Sequence, residues 1–79
     1  MDERPAERGV QSVERALDLL ETLARSDAPL GVSALAHATH LSPSTTHRLL
    51  ATLVRRGWVS HDPGTHRYRL TPLGARPTP

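Results

Sequence analysis

Two short helical segments separated by a tight corner constrain the fold of this 79-residue chain more than any other feature. The first is VSALAHATH, which ends at His40, and the second is LSPSTTHRLLATLVRR, which ends at Arg56. Ser42 is placed to cap the second helix, and Pro43 suits its first position, where a missing N–H costs nothing. Gly57 suits the position after its last turn. The pattern predicts a helix over residues 43 to about 56, held close to the helix before it.

The helix before the corner is predicted over residues 34 to about 39, with Ser33 as its N-cap. Its apolar residues Leu35 and Ala38 are spaced so that both can face inward. Leu41 is the one large apolar residue at the corner, so we expect it to be a buried anchor between the two helices.

A longer helix is predicted ahead of this pair, from Ser12 as its N-cap to about Ser26. A stripe of apolar side chains recurs there at helical spacing and is expected to face the core: Val13, Ala16, Leu17, Leu20, Leu23 and Ala24. Leu19 lies beside that stripe and widens it. Two interpretations stay open, since Leu19 either rims the core or makes a dimer contact. The candidate dimer surface consists of Val13, Leu17, Leu19 and Leu20.

Strand-like alternation follows the third helix over residues 58–61 and 67–70, and the Pro and Gly between them suit a turn. A β-hairpin in this place is a wing. Alternation puts Arg67 and Arg69 on one face of the wing. Arg69 either pairs with Asp62 or rests on the domain surface.

Together these elements predict a mainly α fold with a small β-hairpin, that is, a winged helix-turn-helix of three helices and a two-stranded wing. The predicted domain covers residues 10–70. Residues 1–9 are expected to form a flexible arm, and residues 71–79 a linker or disordered tail, because both segments are polar and interrupted by proline.

Acidic and basic side chains are unevenly distributed along the chain. Residues 1–31 hold seven acidic side chains and four arginines, whereas residues 32–79 hold six arginines, all five histidines and a single carboxylate, Asp62. This polarity suggests one surface for a polyanion and another turned away from it. A chance imbalance on a solvated surface is the competing interpretation.

The outward side of the third helix carries small polar and basic side chains: Ser44, Thr45, His47, Arg48, Ala51, Thr52 and Arg55. Such a helix fits the DNA major groove, because short side chains let the backbone approach and polar ends reach base edges. The free N–H groups at its start suit phosphate. Arg48 is the candidate for a bidentate contact to guanine, which is worth about 1–3 kcal/mol of discrimination. The alternative is that these are ordinary solvated residues; the caps, the wing and the charge polarity together favour DNA contact.

Composition argues against several other classes of protein. There is no Cys for disulfides or thiolate metal sites, and no apolar run approaches the roughly 18 residues of a membrane span. Histidines with one nearby carboxylate make a metal site improbable, so no metal or cofactor is expected. An enzyme is not expected either, because Ser44, Thr45 and His47 lack an acidic orienting group. The charged N-terminus is not a secretory signal, so the cytoplasm, with its nucleoid, is the expected location.

Three stretches resemble the N-terminal DNA-binding domain of IclR-type bacterial transcription regulators: QSVERALDLLETLA, LSPSTTHRLLATLVRRGWV and a hairpin ending HRYRL. The resemblance covers about residues 10–70. Its most specific parts are Gln11-Ser12-Val13 with Arg15-Ala16-Leu17, and Ser44-Thr45 with His47-Arg48-Leu49-Leu50. His40 stands where such proteins often carry Gly, so the corner needs a left-handed non-Gly residue or a slightly different geometry. Pro43 comes one position later than is usual in this family.

The resemblance implies operator binding by a homodimer, with residues 43–56 in the major groove and residues 58–70 on an adjacent groove or the DNA backbone. The residues expected to contact DNA are Ser42, Pro43, Ser44, Thr45, His47, Arg48, Thr52, Arg55, Thr65, His66 and Arg67. A homodimer implies a pseudo-palindromic operator. Regulators of this type carry a second domain for a small-molecule effector, so an effector is expected only if such a domain exists.

The competing function is a winged-helix protein-interaction module without intrinsic DNA binding. Such a module is expected to present an apolar surface on the third helix, whereas the surface here is polar and cationic. Sequence-specific binding of double-stranded DNA is therefore the favoured prediction.

Overall fold

Three helices followed by a two-stranded antiparallel hairpin make up the computed structural model, which describes residues 9–74. The helices are α1 (Gln11–Arg25), α2 (Val32–Thr39) and α3 (Pro43–Arg55). The strands are β1 (Val59–Asp62) and β2 (Arg67–Leu70). The predicted mainly α fold with a small wing is confirmed.

Helix α1 begins one residue before the cap that the sequence predicted. Val10 is its N-cap, in extended conformation and without a side-chain cap, and the N–H of Glu14 donates to the Val10 carbonyl over 2.9 Å. The prediction of Ser12 as N-cap is therefore wrong, because the first intrahelical bond forms before it. Ser12 lies in the first turn with its side chain exposed.

The buried side of α1 is rotated from the predicted stripe. Leu19 is fully buried and Leu23 is nearly so, whereas Val13, Leu17 and Ala24 are exposed. The rotation follows from the packing, since α1 contacts α2, α3 and β2 together. Both open interpretations of Leu19 are corrected: it neither rims the core nor is available for a dimer contact.

Helix α2 also begins earlier than expected. Gly31 is its N-cap, and the Gly31 carbonyl accepts from the N–H of Leu35, so Ser33 is not a cap. Leu35 faces inward as predicted, but Ala36 is the second buried residue and Ala38 is exposed. The inward side is set by the crossing with α3, and a small residue at 36 permits it.

The sequence left two possibilities for the corner, a left-handed residue other than glycine or a slightly different geometry, and the structure shows the first. His40 is left-handed, with φ 59° and ψ 38°. Leu41 is half-buried, less than the buried anchor we expected. The hydroxyl of Ser42 accepts from the N–H of Thr45 over 3.1 Å, which confirms the predicted cap of α3. Gly57, at φ 90°, follows the helix as predicted.

The core lies where the three helices meet the inner face of the wing. Its buried residues are Leu19, Leu23, Leu35, Leu50, Val59 and Tyr68. Thr46 of α3 is also fully buried, and its hydroxyl donates to the Ser42 carbonyl over 2.9 Å, which satisfies the polar atom. The core thus fixes α3 from within and leaves its other side free.

Residues 71–74, expected to belong to a loose tail, are instead held against the wing. The hydroxyl of Thr71 donates to the Gly57 carbonyl over 2.7 Å, and its N–H donates to the Trp58 carbonyl over 3.2 Å. Most of the predicted arm (1–8) and the rest of the predicted tail (75–79) lie outside the described residues. Among residues 9–74, no helix is long and apolar enough to cross a membrane.

Candidate nucleic-acid interface

One side of α3 presents the polar and basic residues that the sequence singled out. Exposed there are Ser44, His47, Arg48, Ala51, Thr52 and Arg55, while Thr45 is half-buried. The opposite side of the helix carries Thr46 and Leu50, both fully buried. The core therefore holds α3 so that its candidate base-reading side faces outward.

The start of α3 provides a small anion-binding end. Pro43 has no N–H, and the N–H groups of Thr45 and Thr46 are used by the side chain and carbonyl of Ser42. The N–H of Ser44 remains for a ligand, together with its hydroxyl and the positive end of the helix dipole. This arrangement suits one phosphate oxygen.

A cleft between α1 and α3 adds residues that the sequence reasoning missed. Its volume is about 280 Å³, and Ser12 and Arg15 of α1 line it together with Thr45, Arg48, Leu49 and Thr52 of α3. One arginine from each of these two helices thus lines the cleft. Ser12 and Arg15 are three apart and share a helix face, but that spacing does not say which side of α1 meets α3.

The tip of the wing is shaped by Asp62. Its carboxylate accepts from the N–H of Gly64 over 2.9 Å and from the hydroxyl of Thr65 over 3.1 Å. These hydrogen bonds, chiefly that of Gly64, hold the pKa of Asp62 below its ordinary value. The Thr65 hydroxyl, predicted to contact DNA, has therefore committed its hydrogen to the turn.

The cationic side of the wing is as predicted. Arg67 and Arg69 are exposed on one face of β2, and Tyr68 between them is buried. His66 is exposed at the tip with a left-handed φ of 59°. Arg69 lines a cavity on the domain surface together with Leu23 of α1 and Pro29 of the connection that follows it, which agrees with the interpretation that it rests on that surface.

His61 of β1 lies inward of the wing tip. Its ring packs on Tyr68 with centroids 4.7 Å apart, and the ring of His66 is 6.1 Å away. In the part of the chain that the structure describes, no group of three or more His, Cys, Asp or Glu side chains converges on a possible metal position.

An exposed apolar groove adjoins the cleft. Val13 and Leu17 of α1 are 55% and 48% exposed, and Trp58 at the start of the wing is 40% exposed. These three residues border the groove, which runs between α1 and α3. Leu20, also in the candidate dimer surface, is half-buried in the same groove.

Comparison with known proteins identifies the family to which this arrangement belongs. The profile of the IclR helix-turn-helix domain matches residues 12–63. The chain belongs to the IclR helix-turn-helix family. The resemblance read from the sequence is thereby confirmed.

Relatives of this IclR-family domain are regulators by name. This chain is 40% identical over 63 residues to the glycerol operon regulatory protein of Streptomyces coelicolor. The matched region covers 80% of this chain and 25% of that protein. It is 46% identical over 55 residues to the transcriptional repressor IclR of Escherichia coli, covering 70% of this chain and 20% of that protein. The chain spans about a quarter or less of the length of these relatives.

Solved structures agree with the fold. The crystal structure of Pseudomonas aeruginosa HmgR superposes with a TM-score of 0.77 at 31% sequence identity, covering 85% of this chain and 28% of that one. The three helices and wing of this chain thus match a solved structure.

Proposed function

We propose that this chain binds double-stranded DNA sequence-specifically as the DNA-binding domain of an IclR-type regulator, acting on the nucleoid in the cytoplasm. The observation that carries the proposal is the joint position of the α3 N-terminus and the Arg15–Arg48 cleft. Hydrogen-bond donors and two cationic groups lie there beside the outward side of α3. Phosphate contacts position a protein on the duplex, and base contacts specify the sequence.

The division of labour follows from position. Arg48 and Thr52 on the outward side of α3 read bases in the major groove. Ser44, at the start of α3, and Arg15, across the cleft, bind phosphates beside that groove. Arg67 on the wing contacts a neighbouring groove or the backbone.

A homodimer is part of the proposal. Since Leu19 is buried in the core, the candidate dimer surface is reduced to the exposed residues Val13 and Leu17 and the half-buried Leu20. A two-fold dimer binds a pseudo-palindrome whose half-sites are about 34–36 Å apart, or a multiple of that distance. A small-molecule effector enters the proposal only for a longer protein that carries a further domain.

Fluorescence anisotropy with a labelled random duplex tests DNA binding. We expect binding at low salt that falls steeply as salt rises, because counterions are released from the phosphates. A protein-interaction module without intrinsic DNA affinity gives no binding even at low salt, so that result rejects the proposal. The double substitution Arg15→Gln and Arg48→Gln should weaken binding more than Arg69→Gln, the matched control on the outer face of β2.

Sedimentation velocity tests the dimer separately. Leu17→Ser changes an exposed side chain and should lower the dimer fraction without unfolding the domain. Wild-type chain that stays monomeric at every concentration, alone and on a palindromic duplex, contradicts this part of the proposal.

A further inference from the structure

The apolar groove between α1 and α3 has the dimensions of a small-molecule site. Its volume is about 510 Å³, and its α1 wall includes Val13, Ala16, Leu17 and Leu20. Small-molecule pockets occupy about 300–1,000 Å³ and are predominantly apolar with a few placed polar groups. Ser12 and Leu20 mark the two ends of the α1 wall, so the groove is roughly 12 Å long at the helical rise per residue.

The groove adjoins the cationic cleft. Ser12, Leu49 and Thr52 line both cavities. The apolar trough, bordered by Trp58, therefore lies next to a cleft that Arg15 and Arg48 line. Charge at one end and apolar walls along the rest define the chemistry of a matching ligand.

We propose that this surface binds an amphipathic monocarboxylate, a molecule with an acyl or aryl body and one terminal carboxylate. The carboxylate lies between Arg15 and Arg48, since guanidinium groups form charge-assisted hydrogen bonds with carboxylates. The body lies along Leu17 and ends against Trp58, where burial of apolar surface stabilises the complex. This ligand site goes beyond the proposed DNA binding and does not depend on it.

Two competitions follow from the location. The carboxylate engages Arg15, proposed to bind a DNA phosphate, and Arg48, proposed to read bases, so the ligand and the duplex exclude each other at the cleft. The body covers Val13 and Leu17, so the ligand and a second copy of the chain also exclude each other. We assign the acid to the whole surface because its apolar body matches the trough and its negative charge complements Arg15 and Arg48.

The test uses octanoate and the full chain without DNA. Trp58 is the only tryptophan and borders the groove, so its fluorescence reports occupancy. We expect a saturable change with octanoate, affinity at least about tenfold weaker for octan-1-ol, and no saturation with acetate. Titration at low protein concentration, with the monomer checked by sedimentation, removes competition from a second copy.

Matched variants separate the contribution of the carboxylate to the affinity from that of the apolar body. Arg15→Gln should weaken octanoate about tenfold and leave octan-1-ol unchanged, because it removes the partner of the carboxylate alone. Leu17→Ser should weaken both probes, and Arg69→Gln, at a residue that lines neither the groove nor the cleft, should change neither. Circular dichroism confirms that each variant is folded.

Three results overturn the site: no saturable signal with octanoate, equal affinity for octanoate and octan-1-ol, or identical titrations for Arg15→Gln and Arg69→Gln. Since no DNA is present, a failure here leaves the DNA proposal standing, and a failure of the anisotropy experiment leaves this one standing. If both the DNA proposal and the ligand site are correct, octanoate should displace the duplex from the wild-type chain. It should not displace the duplex from the Arg15→Gln variant.

Discussion

Leu30 and Tyr68 exchange two backbone hydrogen bonds across the domain. The N–H of Leu30 donates to the Tyr68 carbonyl over 3.0 Å, and the N–H of Tyr68 donates to the Leu30 carbonyl over 2.8 Å. This isolated bridge gives β2 a partner on the side away from β1. It ties the connection between α1 and α2 to the wing.

Amide hydrogen exchange tests that bridge. We expect the amide of Leu30 to exchange as slowly as those of the β1–β2 ladder, although it lies in a connection between helices. The reason is that its N–H is freed only when the wing separates from the helices. The amide of Ala28, which donates over 3.3 Å to the exposed Ser26 hydroxyl, serves as the control and should exchange fast. Equal rates for Leu30 and Ala28 contradict the bridge.

Ser42 carries both a structural and a proposed functional role, and two substitutions separate them. Ser42→Ala removes the acceptor for the Thr45 N–H and should lower the free energy of unfolding by about 1 kcal/mol in urea denaturation. Ser42→Asp keeps a capping oxygen and should keep the stability of the wild type. Its negative charge faces the phosphates, however, and we expect DNA affinity to fall about tenfold. Wild-type DNA affinity in Ser42→Asp removes Ser42 from the interface.

Local signals in the sequence predicted the second half of the fold well. The Ser42-Pro43 start, the Gly57 end and the alternation of the wing each depend on neighbouring residues, and the structure retains them. The N-caps predicted for α1 and α2, Ser12 and Ser33, were wrong because a serine cap is only one way to begin a helix. Extended backbone at Val10 and Gly31 begins these helices without a side chain.

The rotation of α1 could not be read from periodicity alone. Val13, Leu17, Leu19 and Leu23 are all apolar, and they cover a wider arc than one small core can bury. Only the packing against α2, α3 and β2 decides that Leu19 is inside and Leu17 outside. The same rotation brings Arg15 to the cleft that Arg48 also lines, and no local pattern relates two residues 33 positions apart.

The left-handed corner predicts an unusual stabilising substitution. His40 has a φ of 59°, a region that favours glycine, so His40→Gly should raise the free energy of unfolding by about 1 kcal/mol. His37→Gly is the matched control, because His37 is exposed in the last turn of α2 and glycine should cost about 1 kcal/mol there. In urea denaturation, the changes in the free energy of unfolding should have opposite signs for the two variants. The same sign for both would contradict an unfavourable left-handed conformation at His40.

Asp62 makes the wing tip sensitive to acid. Its hydrogen bonds to Gly64 and Thr65 lower the pKa of the carboxyl in the folded chain, so they favour the ionised form. The order of the turn is therefore fully present above the unfolded pKa of about 4 and is lost as the pH falls through the lower, folded pKa. The Gly64 amide resonance in NMR should follow this titration. Asp62→Asn has no titrating carboxyl, and its Gly64 resonance should stay constant over the same range.

Substitutions of Arg48 and Arg67 should affect DNA binding in different ways, since Arg48 lies on the outward side of α3 and Arg67 on the wing. Arg48→Ala should reduce discrimination between a selected operator and single-base variants by about 1–3 kcal/mol, because a base contact is lost. Arg67→Ala should weaken all duplexes similarly and reduce the slope of log affinity against log salt by about one, because a phosphate contact is lost. Anisotropy titrations on the operator and its variants, at several salt concentrations, measure both quantities. If the two substitutions behave identically, the division between base reading by α3 and phosphate binding by the wing is wrong.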